Sequence, residues 1–182
     1  MDTEKLFEEL ADLGVCASGR RLWRQSGKDV DMIVKVWKKW PEYWVEHSGE
    51  ALGIVRRHFR TEEDLGKLRG SNLYMDNSRD VELDSDTAVF FVGNSNCAVR
   101  VKDWAAVKIY CFNHARIRME CGASSYVNIE AYDHAQVSVL SNKGRCRVYA
   151  YDGSRIEDDG DTVSVTRKDI TRGSVFNGEE MG

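Results

Sequence analysis

From Arg79 to Ile156 apolar and polar positions alternate, and the alternation is cut into short phrases that begin about ten residues apart. The clearest are Cys97-Ala-Val-Arg-Val101, Ala105-Ala-Val-Lys-Ile109, Ala115-Arg-Ile-Arg-Met119, Ser125-Tyr-Val-Asn-Ile129, Ala135-Gln-Val-Ser-Val139 and Cys146-Arg-Val-Tyr-Ala150. Period two marks β-strands with one buried face. Recurrence of whole strands at a fixed spacing, broken by Asp, Asn, Gly and Ser, predicts a solenoid in which each unit buries its apolar face only against its neighbours. Consecutive steps combine to about 18–21 residues, enough for two strands and two turns per coil. Two parallel sheets face to face is the simplest outcome, with a three-sided helix as the alternative. Parallel stacking in register aligns like residues across coils, and Phe112-Asn-His-Ala115 and Tyr132-Asp-His-Ala135 lie 20 apart. Inward positions then hold Ala105, Val107, Ile109 and Cys111, followed by Ala115, Ile117, Met119 and Cys121.

Before Asp76 the period is helical. Leu6, Leu10 and Leu13 share one face behind a Thr3 cap, and Gly14 stops the helix. A second helix is predicted over Ser18–Gln25. A third starts at Asp29 or Asp31, carries Met32, Ile33, Val36, Trp37 and Trp40, and is interrupted by Pro41. A fourth is predicted over Glu50–Phe59, and Thr61 with its acidic first turn caps a short fifth that ends before Gly70. The expected architecture is α+β: an all-α head over 1–70 capping a parallel β-solenoid over 71–166, then a frayed tail over 167–182.

Bulk chemistry narrows the classes. The formal net charge of −4 argues against a nucleic-acid binder, no run approaches a membrane span, and the polar start lacks the apolar core of a secretory signal. The expected location is the cytoplasm. Five cysteines without C-x-x-C offer neither a disulfide framework nor zinc spacing. Cys97, Cys111, Cys121 and Cys146 fall at inward positions, leaving Cys16 in an exposed turn. No cofactor is implied. There is no Gly-x-Ser-x-Gly, Walker loop, His-Glu-x-x-His or hexapeptide repeat, and the reading is non-enzymatic.

Four features compete as sites. Between Cys16 and Trp40 seven basic residues (Arg20, Arg21, Arg24, Lys28, Lys35, Lys38, Lys39) face two acids, with Trp23, Trp37 and Trp40 interleaved. Such a patch suits an acidic protein face, and less well a phosphate backbone. Phe90, Tyr110, Tyr126, Tyr149 and Tyr151 are expected to project from one outer sheet face, and Arg100, Arg116, Arg118 and Arg155 from the other. Of these, Tyr110, Tyr126, Tyr149, Arg116 and Arg118 form the alternative interface, for a carbohydrate or for a second copy of the chain. His114 and His134 occupy equivalent turns, but the matching positions, near Asn94 and Ser154, are poor transition-metal ligands. Glu157-Asp-Asp-Gly-Asp161 is an isolated acidic turn without the spacing of a calcium loop.

The combination of Leu13-Gly-Val-Cys-Ala-Ser-Gly19, Trp40-Pro-Glu-Tyr-Trp-Val-Glu-His47 and Val55-Arg-Arg-His-Phe59, ahead of Ala-x-Val-x-Val repeats, resembles uncharacterised proteins of gut bacteria and their phages. The resemblance spans residue 3 to about 157 and carries no catalytic residues. It implies a phage accessory or anti-defence protein that acts by steric binding to a host protein; the expected contact residues, Arg20, Arg21, Arg24, Lys35, Lys38 and Lys39, follow from the charge asymmetry and not from the resemblance.

Overall fold

The computed structural model describes residues 3–25, 29–158 and 163–169. Lys28, the end of the acidic turn at Asp159–Asp161, and the tail from 170 onward lie outside the described residues.

Eleven strands follow five helices among the described residues. After β1 (Leu73–Met75) and β2 (Asp80–Leu83), the strands β3 (Thr87–Val92), β4 (Asn96–Val101), β5 (Ala106–Cys111), β6 (Arg116–Cys121) and β7 (Tyr126–Ala131) repeat with little variation. They continue as β8 (Gln136–Asn142), β9 (Arg145–Tyr151), β10 (Arg155–Asp158) and β11 (Val163–Lys168). Odd-numbered strands form a six-stranded parallel sheet and even-numbered strands a five-stranded one, so each coil contributes one strand to each sheet. This is the two-sheet solenoid, not the three-sided form. Val107 pairs with Val127, Ile109 with Ile129, and Ile117 with Val137. The register slips between Met119 and Glu120, where β8 carries an extra residue.

Between the sheets the inward side chains form one narrow core of Val, Ile, Ala, Cys and Met, including Cys97, Cys111, Cys121 and Cys146. At its amino-terminal end Tyr74 turns inward and stacks on Phe91, centroids 5.1 Å apart. Turns are held by side chains rather than by glycine alone. Asn113, Asp133 and Asp152 adopt positive φ of 61°, 58° and 52°, a region that Asn and Asp tolerate. Asn113 Oδ1 accepts the Gly93 N–H (3.2 Å), and Asp133 Oδ2 accepts the Asn113 N–H (2.8 Å). On the opposite turn column Asp86 and Asp103 accept the N–H groups of Ala106 and Ala123 (2.9 and 2.7 Å).

The head consists of α1 (Thr3–Asp12), α2 (Ala17–Gln25), α3 (Val30–Lys39), α4 (Glu42–His58) and α5 (Glu62–Gly70). Asp29 and Thr61 cap α3 and α5 through their side chains. The fourth helix is longer than expected: it begins directly after Pro41, whose fixed φ suits a helix start, and kinks at His47.

The head covers a flank of the solenoid, not merely its end. Leu6, Leu10, Trp37, Trp44, Leu52, Val55 and Leu68 share a second core with Leu73, Phe90, Tyr110, Phe112 and Tyr132, which point out from the six-stranded sheet. Trp44 meets Phe112 at 5.9 Å, and Phe112, Tyr132 and Tyr151 stack in a row at 5.0 and 4.6 Å with their planes nearly parallel. Polar clamps edge this interface. Arg56 grips Asp76 with two hydrogen bonds of 2.6 Å, and the Asp76 carboxyl, although burial opposes it, is held below its ordinary pKa by Arg56 and by the Asn94 N–H.

Candidate functional site

Helices α2 and α3 carry the cationic stretch. Each buries one stripe, Gly19 and Trp23 on α2 and Ile33, Val34, Val36 and Trp37 on α3. Their remaining faces hold Arg20, Arg21, Arg24, Lys35 and Lys39 in solvent, with Lys38 partly covered. Arg20 Nε donates to the Val15 carbonyl (2.8 Å), and the Lys39 ammonium lies 4.8 Å over the Trp40 ring. Among the described residues none of the six cations has a carboxylate within ion-pairing distance, although other pairs occur in the head, such as Arg57 with Glu9 (2.6 Å) and Lys67 with Glu63 (3.0 Å). Lys38 is pushed down to about 8 by burial, aided by Lys35 and opposed by Asp31. The interleaved rings are not a stacking platform for bases: Trp23 and Trp37 are 1% and 2% exposed, and Trp40 alone is partly open.

The five residues of the alternative interface do not form one surface. Tyr110, Tyr126 and Tyr149 lie on β5, β7 and β9, whereas Arg116 and Arg118 lie on β6, in the opposite sheet. The expected open aromatic face is also lost at its centre. Phe90 and Tyr110 do point away from the solenoid interior, but the head covers them, leaving 0% and 2% exposed. That burial raises the Tyr110 hydroxyl's pKa. Tyr126 is 40% exposed in a separate row, and Tyr149 and Tyr151 are half-buried at the far side. The outer face of the five-stranded sheet is open as expected. There Arg100 pairs with Glu120 (3.2 Å), while Arg116, Arg118 and Arg155 have no ion pair among the described residues.

The His114 and His134 rings stack at 5.3 Å across adjacent coils. The next equivalent position is Gly153, not Ser154, which is buried. A Cβ at Gly153 would come within 2.7 Å of His134 Nδ1, so a side chain there would require the His134 ring to move. Among the described residues no group of three or more His, Cys, Asp or Glu side chains is placed to hold a metal ion, and no helix is long and apolar enough to cross a membrane.

One feature went unread in the sequence. Where the approach to α2 meets α3 and α4, Val15, Gly19, Val36, Trp37, Trp40 and Tyr43 enclose a mostly apolar pocket of about 180 Å³, with the exposed Cys16 also in its lining. The signal for it was Gly19, which is buried in the helix contact: a Cβ there would fall 2.8 Å from a Val15 methyl. Compared with known proteins, the chain matches no family model, no curated protein and no solved structure.

Proposed function

We propose that this chain is a non-enzymatic protein-interaction module, with the solenoid as a rigid body and the α2–α3 face of the head as the surface that meets a partner. The observation that carries this reading is the set of six cations on two adjacent helices, none ion-paired among the described residues. Like charges gathered with few acids among them repel one another, and a complementary acidic surface relieves that repulsion while speeding encounter and fixing orientation. In its most specific form, the one the phage resemblance implies, the partner is a host protein and binding blocks it sterically. The carbohydrate alternative is weakened because Tyr110 lies beneath the head.

Arg21→Glu, Arg24→Glu and Lys35→Glu alter exposed side chains, so a triple variant keeps its helices by circular dichroism. A host protein captured stoichiometrically by the parent and lost by this variant is the expected result. A partner held equally by both overturns the assignment of this surface.

A further inference from the structure

The geometry points to an anchor pocket beside the cationic face: the cavity among α2, α3 and α4 takes one leucine- or phenylalanine-sized side chain from an acidic segment of the protein partner. This rests on the reading of α2–α3 as the partner-facing surface and specifies the chemistry recognised there.

Size comes first. At about 180 Å³ the pocket is below the roughly 300–1,000 Å³ of sites for cofactors and drug-sized ligands, and it suits a single side chain. Its lining includes Trp37, Trp40, Val15, Val36 and Tyr43. The Tyr43 hydroxyl is already committed to the Leu10 carbonyl (2.8 Å), so Tyr43 offers the pocket its apolar body. Buried anchors of this kind, ringed by polar contacts, dominate the energetics of protein interfaces.

Charge comes second. Two of the six cations are tied to the walls themselves. Arg20 is bonded to the Val15 carbonyl, and Lys39 lies over the Trp40 ring. Neither lines the pocket itself, but each is held by a residue that does, so both cations lie beside it on α2 and α3. Glu46 of α4 is the one charged residue in the lining, so the surroundings are polarised, with cations on the neighbouring α2 and α3 surface and an anion on α4. A segment that inserts an apolar residue is therefore drawn to lay its carboxylates toward Arg20 and Lys39 and away from Glu46. A phosphate backbone supplies the charge but has no side chain for the pocket.

The test uses the full chain and fluorescein-labelled peptides Ser-Asp-Glu-X-Asp-Glu-Ser, with X as Ala, Leu or Phe, alongside a DNA duplex, all read by anisotropy. The Leu and Phe peptides are expected to bind at least tenfold more tightly than the Ala peptide and to weaken at least fivefold with Lys39→Glu. Alkylating Cys16 with N-ethylmaleimide, confirmed by mass, is expected to remove the Leu and Phe advantage, while the Cys16→Ser protein treated identically keeps it. Peptides that bind equally whatever X is, yet weaken with Lys39→Glu, overturn the pocket and leave the cationic surface standing. Anchor-dependent binding insensitive to Lys39→Glu overturns the acidic specificity. Absence of peptide binding, equal binding after alkylation, or preference for the duplex each overturns the inference.

Discussion

The Ser48 hydroxyl, buried in the middle of α4, donates a hydrogen bond to Asp133 Oδ2 at 2.9 Å. The same carboxylate oxygen accepts the Asn113 N–H from the neighbouring coil, so one side chain joins two coils to each other and both to the head. Ser48→Ala should cost about 1 kcal/mol, the usual worth of a hydrogen bond. Asp133→Ala should cost more, about 2–3 kcal/mol, because it removes a charged acceptor and places a Cβ-bearing residue without a turn-forming side chain at positive φ. In urea denaturation the two losses should fall short of additivity, since they share a bond. Full additivity would show that Ser48 and Asp133 act independently.

Glycines in the two halves should respond in opposite directions. A Cβ at Gly122 would sit 2.7 Å from the Asp103 backbone nitrogen of the adjacent coil, whereas one at Gly49 on α4 meets nothing within 4 Å. Gly122→Ala is therefore expected to destabilise by about 1–3 kcal/mol, and Gly49→Ala to stabilise by about 0.5–1 kcal/mol through helix propensity. Thermal melts of the two variants, run side by side, check both signs.

Lys38 gives stability a pH dependence above neutrality. An unfolded lysine keeps its proton to about pH 10.4, but burial lowers Lys38 in the fold to about 8. Between those values the unfolded chain binds more protons, so the Lys38 contribution grows more favourable as pH rises through that window. Below pH 8 the fold carries the full cost of a partly desolvated charge. Lys38→Met should accordingly stabilise the protein at pH 7, by a margin that shrinks from pH 8 and is gone by about pH 10.4. A margin constant across urea titrations at pH 7, 9 and 10.5 would contradict this.

Thiol titration should separate one cysteine from four. Cys16 is exposed and the other four of the chain's five cysteines are buried. Burial also raises the pKa of Cys97 and Cys111, which suppresses the reactive thiolate. The native protein should react with one equivalent of an aromatic disulfide within minutes and with the remainder only as urea unfolds it. Two or more rapid equivalents would mean that the solenoid core opens locally.

Most strands from β2 onward were legible because one face lies in the core and the other in solvent, and period two is the direct record of that arrangement; β3 and β5 depart from it where Phe90 and Tyr110 lie under the head. β1 was not, since Leu73, Tyr74 and Met75 are all buried, with the solenoid interior on one side and the head on the other. The first half of α4 was hidden for a different reason: Pro41 read as a stop for α3, when it also starts the next helix. The cationic face was visible as composition. The covering of Tyr110 was not, because alternation says which way a side chain points and nothing about what lies beyond it. Comparing outward residues would have found it: Phe90, Tyr110, Phe112 and Tyr132 on one sheet, against Arg100, Arg116, Arg118 and Glu120 on the other.

In the central coils each residue pairs with the one 20 positions on, as Lys108 with Asn128 and Arg100 with Glu120. An insertion of one residue within a strand would turn the rest of that strand's inward side chains outward unless a bulge absorbs it, as in β8 after Val139, and a half coil would send later strands into the wrong sheet. Turns absorb small differences, since Leu73 pairs with Phe90, Val107 with Val127 and Val127 with Cys146, but strands can be added or removed only in whole coils. The head in turn is seated on rows running from Leu73 to Tyr132, with Tyr151 at their margin, so a coil gained or lost among them would shift the aromatic footing beneath α4. Coils added beyond Tyr151 would leave that footing alone. The molecule is in this sense a ruler with one fixed end, able to grow away from its head in discrete increments without disturbing the surface that the head presents.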